Sequence, residues 1–228
     1  PALSDDNHTD HDAPSPLITQ EVSYVSSLFS EAGYDVVNLD DLPATEGVRR
    51  ADLYTQGRPT SLVMECKHFV LARDMGAHCE SGDLEKVLAK ATNALKQLAA
   101  TRASLLEDGV HDEAICCLIV THDYLPFINF PTVRARLREM ADGKGLDPSI
   151  LDRTVVLGLD EVECLTASRP DDIDRIIRDL VESVDDRVTV LWNMLGTEFA
   201  RQNPYLLRVF DARFDAITNA ASERASRR

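Results

Sequence analysis

The order of hydrophobic periodicities predicts a mixed α/β sheet flanked by helices and continued by a C-terminal helical extension. Three observations predict it. Strand-like runs at 34–39, 50–55 and 61–69 follow one another with only turns between them. Leu84, Leu88, Ala91, Leu95 and Leu98 then repeat at the spacing of one helix face. The run 114–121 (AICCLIVT) is almost wholly apolar, as expected of a central strand covered on both sides.

The elements follow in order. Residues 1–16 hold four aspartates, no basic residue and no periodicity, and are expected to be a disordered acidic tail. Thr19 is placed to cap a helix reaching about residue 32, with Ile18, Val22, Val25 and Phe29 as its buried stripe and Gly33 as its stop. The first strand leads into an acidic turn containing Asp40 and Asp41. Gly57 and Pro59 sit between the next two strands and suit a hairpin turn. The long helix is expected over 83–106, a short connecting helix over 132–141 and a second buried strand over 154–159. Beyond Asp160 the pattern is helical throughout: 161–167, 173–184, a stretch around 188–200, and 205–221.

A chain of 228 residues that is 44% hydrophobic can bury a sizeable core. No apolar run is long enough to span a bilayer and no secretory leader is visible, so a soluble cytoplasmic protein without membrane contact is expected. Five cysteines in irregular positions read as reduced, mostly buried thiols. The net charge of −15, of which −11 remains outside the tail, argues against indiscriminate binding to nucleic acid. Affinity for a polyanion would have to come from a local basic patch, a divalent ion or a partner.

The chemistry concentrates in Arg50-Ala51-Asp52 and Met64-Glu65-Cys66-Lys67. Alternation along a strand sets Glu65 and Lys67 on one face and Leu62, Met64 and Cys66 on the other. Across a hairpin, Asp52 can lie beside Glu65. Two adjacent carboxylates repel unless a cation sits between them, and oxygen ligands of this kind suit Mg²⁺ or Mn²⁺. Such an ion lowers the pKa of a bound water, and a neighbouring ammonium can hold that water or neutralise a developing oxyanion. These parts suffice for phosphodiester hydrolysis.

At these residues the chain resembles the PD-(D/E)xK, or restriction-endonuclease-like, nuclease superfamily. The resemblance implies a core of helix, three-stranded meander, helix and strand, here residues 17–160, with residues 161–228 as the helical extension. It implies Mg²⁺, with Mn²⁺ able to substitute, held by Asp52, Glu65 and the backbone carbonyl of Cys66. It further implies Lys67 beside the attacking water and Glu21 on the first helix as an auxiliary ligand. The implied substrate is DNA, with RNA open, in a restriction, repair or phage-defence setting. Ala51 stands where the family name has proline. Gln97 is the counterpart of a helix glutamine in some members, yet it falls opposite the stripe of Leu84 to Leu98 with Lys86, Lys90 and Asn93, and is expected to play no catalytic part.

Arg49, Arg50, Arg58 and Arg73 flank the cluster and are candidate phosphate contacts. Arg134, Arg136 and Arg138 are spread around a helix, so only some could face a groove. Cys66, His68, His78 and Cys79 have ligand chemistry but fit no common zinc spacing. His122 and Asp123 end a central strand, where sites often form, though a turn role serves equally. The helical extension is expected to mediate homodimerisation or docking to a partner protein. Three other readings stand beside the enzyme: a solvated cross-strand salt-bridge cluster, a non-catalytic interaction module of the same fold, and an acidic DNA mimic.

Overall fold

The computed structural model describes residues 16–42, 49–56, 58–68, 81–122 and 126–183. Most of the acidic tail, Gly57, Phe69, Arg73, His78, Cys79, Asp123 and the helices expected after residue 184 lie outside the described residues.

Helix α1 (Pro16–Glu31) precedes a meander of β1 (Asp35–Asn38), β2 (Leu53–Gln56) and β3 (Ser61–Lys67). Helix α2 (Ser81–Glu107) crosses over to β4 (Ile115–Thr121), and α3 (Pro131–Gly143) leads to β5 (Thr154–Gly158). Helices α4 (Leu159–Thr166) and α5 (Pro170–Glu182) follow. The five strands lie in sequence order: β1, β2 and β3 pair antiparallel, while β3, β4 and β5 pair parallel. A parallel neighbour requires a long crossover, which α2 supplies. The order is the helix, meander, helix and strand that the resemblance implies.

Local chemistry explains the ends of the elements. Pro16, with its backbone preset for a first helical turn, starts α1 three residues before the expected cap. Thr19 therefore lies inside the helix, where its carbonyl accepts from Ser23 Oγ at 2.9 Å. Gly33 ends α1 with φ 89°, and Tyr34 N–H closes back on Phe29 O at 3.0 Å. Strand β2 begins at Leu53 rather than residue 50 because the Asp52 carboxylate, not its backbone, takes the Cys66 N–H.

Alternation divides the core in two. Leu62, Met64 and Cys66 of β3 and Leu118 and Val120 of β4 meet Val22, Val25 and Phe29 of α1. Val63, Ile119 and Val156 on the other face lie beneath Leu88, Leu95 and Leu98 of α2. Val162, Leu165, Ile173, Ile177 and Leu180 of α4 and α5 belong to the first of these clusters. A boundary at residue 160 would thus cut through one core, and these two helices are part of the folded unit rather than an appendage. Among the described residues no helix is long and apolar enough to cross a membrane.

Arg58, expected as a phosphate contact, is committed elsewhere. Its guanidinium donates to Asp174 Oδ2 at 3.1 and 3.0 Å and to Asp171 at 2.6 Å, and lies over the Tyr34 ring. Tyr34 Oη donates to the other Asp174 oxygen at 2.7 Å; burial and that carboxylate push the phenol well above its usual range. This cluster ties the β2–β3 turn to α5. Arg58→Ala would leave the Asp174 carboxylate buried without its cation, and a loss of about 3 kcal/mol is expected in denaturant unfolding. Asp171, being fully exposed to water, should be replaceable with little effect.

Candidate active site

The site forms where β2 and β3 part. Asp52 N–H donates to Met64 O at 3.1 Å, after which the Asp52 side chain replaces the ladder: its Oδ2 accepts from Cys66 N–H at 2.7 Å. The two backbone polar groups of a residue in an extended strand point the same way, so the Cys66 edge of β3 faces this carboxylate. Glu65 lies beside it, fully buried. Burial first, and then the nearby Asp52 charge, pushes the Glu65 carboxyl up to about 8. Burial also raises Asp52, partly offset by the Cys66 N–H and by Lys67.

Lys67 Nζ contacts Glu65 Oε1 and donates to Gln97 Oε1 at 3.0 Å. Glu65 Oε2 is buried and accepts no hydrogen bond. A buried carboxylate oxygen left bare costs on the order of 1–3 kcal/mol unless something binds it. Asp52, Glu65 and Lys67 thus stand together at the ends of β2 and β3.

Gln97 overturns its sequence reading. Its Nε2 donates to Arg50 O at 3.0 Å while its Oε1 receives Lys67, so it fixes the amine to the backbone just before Asp52. The buried arc of α2 is wider than the stripe of Leu84 to Leu98. Val87, Ala94 and Thr101 are buried as well, and Gln97 borders Ala94 and Thr101 on the helix surface. Ala51 donates its N–H to Thr101 Oγ1 at 2.8 Å, a bond that a proline there could not make. Asp40, in the acidic turn, adds a further negative charge that raises both Asp52 and Glu65. The sequence signal for it is the Asp40-Asp41 pair itself, which also marks the turn.

The remaining candidates separate. Glu21 is buried on α1, against the β3 face that carries Cys66 rather than the one that carries Val63. It gathers with His68 and His122. Cys66 offers its backbone; burial, with Asp52 next, raises its thiol well above the usual range. Among the described residues Cys66, Cys116, Cys117 and Cys164 form no disulfide. Arg134 is buried and donates to Thr154 O at 3.2 Å and to Leu151 O, so it serves packing rather than a groove. Arg136 and Arg138 pair with Glu85, Glu139 and Asp152 on the surface. Arg49 is exposed and Arg50 half-buried beside the site.

The donors present fit a hard divalent cation: two converging carboxylates, a bare buried oxygen and an ammonium on the flank. If Gln97 serves to hold the amine, Gln97→Ala should lower the rate of any reaction at this site roughly tenfold to a hundredfold. Single-turnover kinetics beside a thermal melt would check it, with the melt expected to change little.

No protein-family model and no curated protein matches the chain. Among solved structures, the chain is similar to the small subunit of a heterodimeric restriction endonuclease. Identity is 15% and the TM-score 0.44, over 81% of this chain and 91% of that one.

Proposed function

We propose that this protein is a metal-dependent nuclease that hydrolyses phosphodiester bonds in DNA. The observation that carries the reading is the convergence of Asp52, Glu65 and Lys67, with Glu65 Oε2 bare and Lys67 fixed by Gln97. Asp52, Glu65 and the Cys66 carbonyl would hold Mg²⁺ or Mn²⁺, which when bound supplies a more acidic water and neutralises charge on the phosphate.

The rest falls to the chain itself. Asp52 and Glu65 are neighbours because β2 and β3 are hydrogen-bonded side by side, with Leu53 opposite Met64. Lys67, held between Glu65 and Gln97, keeps an ammonium donor aimed at the attacking oxygen or at the charge that grows in the transition state. Arg49 and Arg50 precede Asp52 in the chain and are the proposed contacts for a backbone phosphate. With a net charge of −15 the protein repels DNA at long range, so a partner protein would supply affinity and sequence choice, while a homodimer would bring the two active sites that cutting both strands needs. The chain after residue 183 is the segment proposed for that contact.

The test is cleavage of plasmid and linear DNA, and of RNA, with Mg²⁺ or Mn²⁺, for the wild type beside Lys67→Ala and Glu65→Ala. Equal activity in all three removes the assignment. Absence of cleavage together with absence of calorimetric Mn²⁺ binding favours an interaction module.

A further inference from the structure

We infer that Glu21, His68 and His122 form a second cation site, chemically distinct from the first and suited to a transition metal such as Zn²⁺. It does not depend on the nuclease reading. His68 follows β3 and His122 follows β4, and the parallel register pairs Lys67 with Thr121. The two histidines are therefore neighbours at the same end of two central strands, with ring centroids 5.3 Å apart. Both continue the parity of Cys66 and Val120, which face α1. Glu21 comes down from α1 onto the same face, and one ligand atom from each of the three lies within 4.8 Å of the others.

Tetrahedral ligands about 2.1 Å from a zinc ion stand roughly 3.4 Å apart, so closure from within 4.8 Å by up to about 1.4 Å completes the set. The burial gradient allows that closure. Glu21 is 7% exposed and held in the core, His68 is half-buried, and His122 is exposed and able to rotate. Two imidazoles and one carboxylate are the donor set of an open zinc site, whose fourth position takes water or a substrate oxygen. Imidazole nitrogen is a poor ligand for Mg²⁺ but suits Zn²⁺, Co²⁺ and Ni²⁺. One end of the sheet thus presents an all-oxygen site on the α2 side and a nitrogen-bearing site on the α1 side.

The experiment titrates the purified full chain with Co²⁺, in excess Mg²⁺, and follows the visible absorbance of the bound ion. It compares wild type, His68→Ala, His122→Ala and Glu65→Gln, with circular dichroism as the control for folding. The wild type should take up Co²⁺, which Zn²⁺ then displaces. Each histidine variant should weaken uptake by at least about tenfold, and Glu65→Gln should leave it within about threefold. The inference is overturned if the wild type gives no such absorbance, or if either histidine variant keeps wild-type affinity. It is equally overturned if Glu65→Gln loses as much as the histidine variants, which would assign the ion to the oxygen site.

Discussion

Replacing Lys67 by alanine is expected to lower DNA cleavage at least about a thousandfold, because the ammonium fixed beside the two carboxylates is lost. The fold should survive. Once Lys67 is gone, Glu65 can take up a proton rather than stay as an uncompensated buried charge, since its carboxyl is already pushed to about 8. Cleavage rates at saturating Mn²⁺, beside a thermal melt of the same preparation, separate the two effects. A variant that melts with the wild type and cuts as fast would show that the amine only balances Glu65. Lys67→Arg is the useful companion. It keeps the charge but not the point-like donor between Glu65 and Gln97, so only partial recovery is expected.

The second large effect concerns pH and Glu65. A carboxyl raised from 4.5 to about 8 on folding binds its proton more tightly in the native state than in the unfolded chain. The metal-free protein should therefore be most stable below about pH 4.5, as far as this group is concerned, and lose stability as pH climbs towards 8, after which the curve flattens. Asp52, also raised by burial, adds in the same direction. Over the whole window the Glu65 contribution is on the order of a few kcal/mol.

Two consequences can be measured. Glu65→Gln should melt higher than the wild type above about pH 8 without metal, because no charge is left to bury. A divalent ion must displace the proton, so the melting shift caused by Mn²⁺ should grow from about pH 6 to about pH 8.5 in the wild type and vanish in the variant. A metal-induced shift of the same size at both pH values would sink this account of the site.

How far the sequence carries the argument differs from residue to residue. Asp52, Glu65 and Lys67 are legible because period-two alternation and a hairpin are local rules, and they set faces and neighbours without knowledge of the rest. Gln97 is not. Its position depends on how wide an arc of α2 is buried, and Thr101 looks polar until Ala51 N–H is found bonded to it. Arg58 misleads for a similar reason, since its acids, Asp171 and Asp174, lie more than a hundred residues away. The pairing of His68 with His122 depends on the parallel register of β3 and β4, and a crossover helix does not announce register in its sequence. The start of β2 escapes the sequence because a side chain stands in for a backbone group, which strand patterning does not describe.

Strand β5 ends the sheet opposite β1, and all five of its residues are buried. Asn129, in the short turn Pro126–Asn129 before α3, donates through Nδ2 to Val156 O at 2.7 Å and accepts Val156 N–H at 3.3 Å. One amide side chain thus imitates the next strand and occupies the hydrogen-bonding rim that an incoming chain would need. Association by sheet extension is closed on that side, so two copies of this protein would have to meet through helices or at the β1 margin. Asn129→Leu, with nothing to offer Val156, would reopen a sticky border.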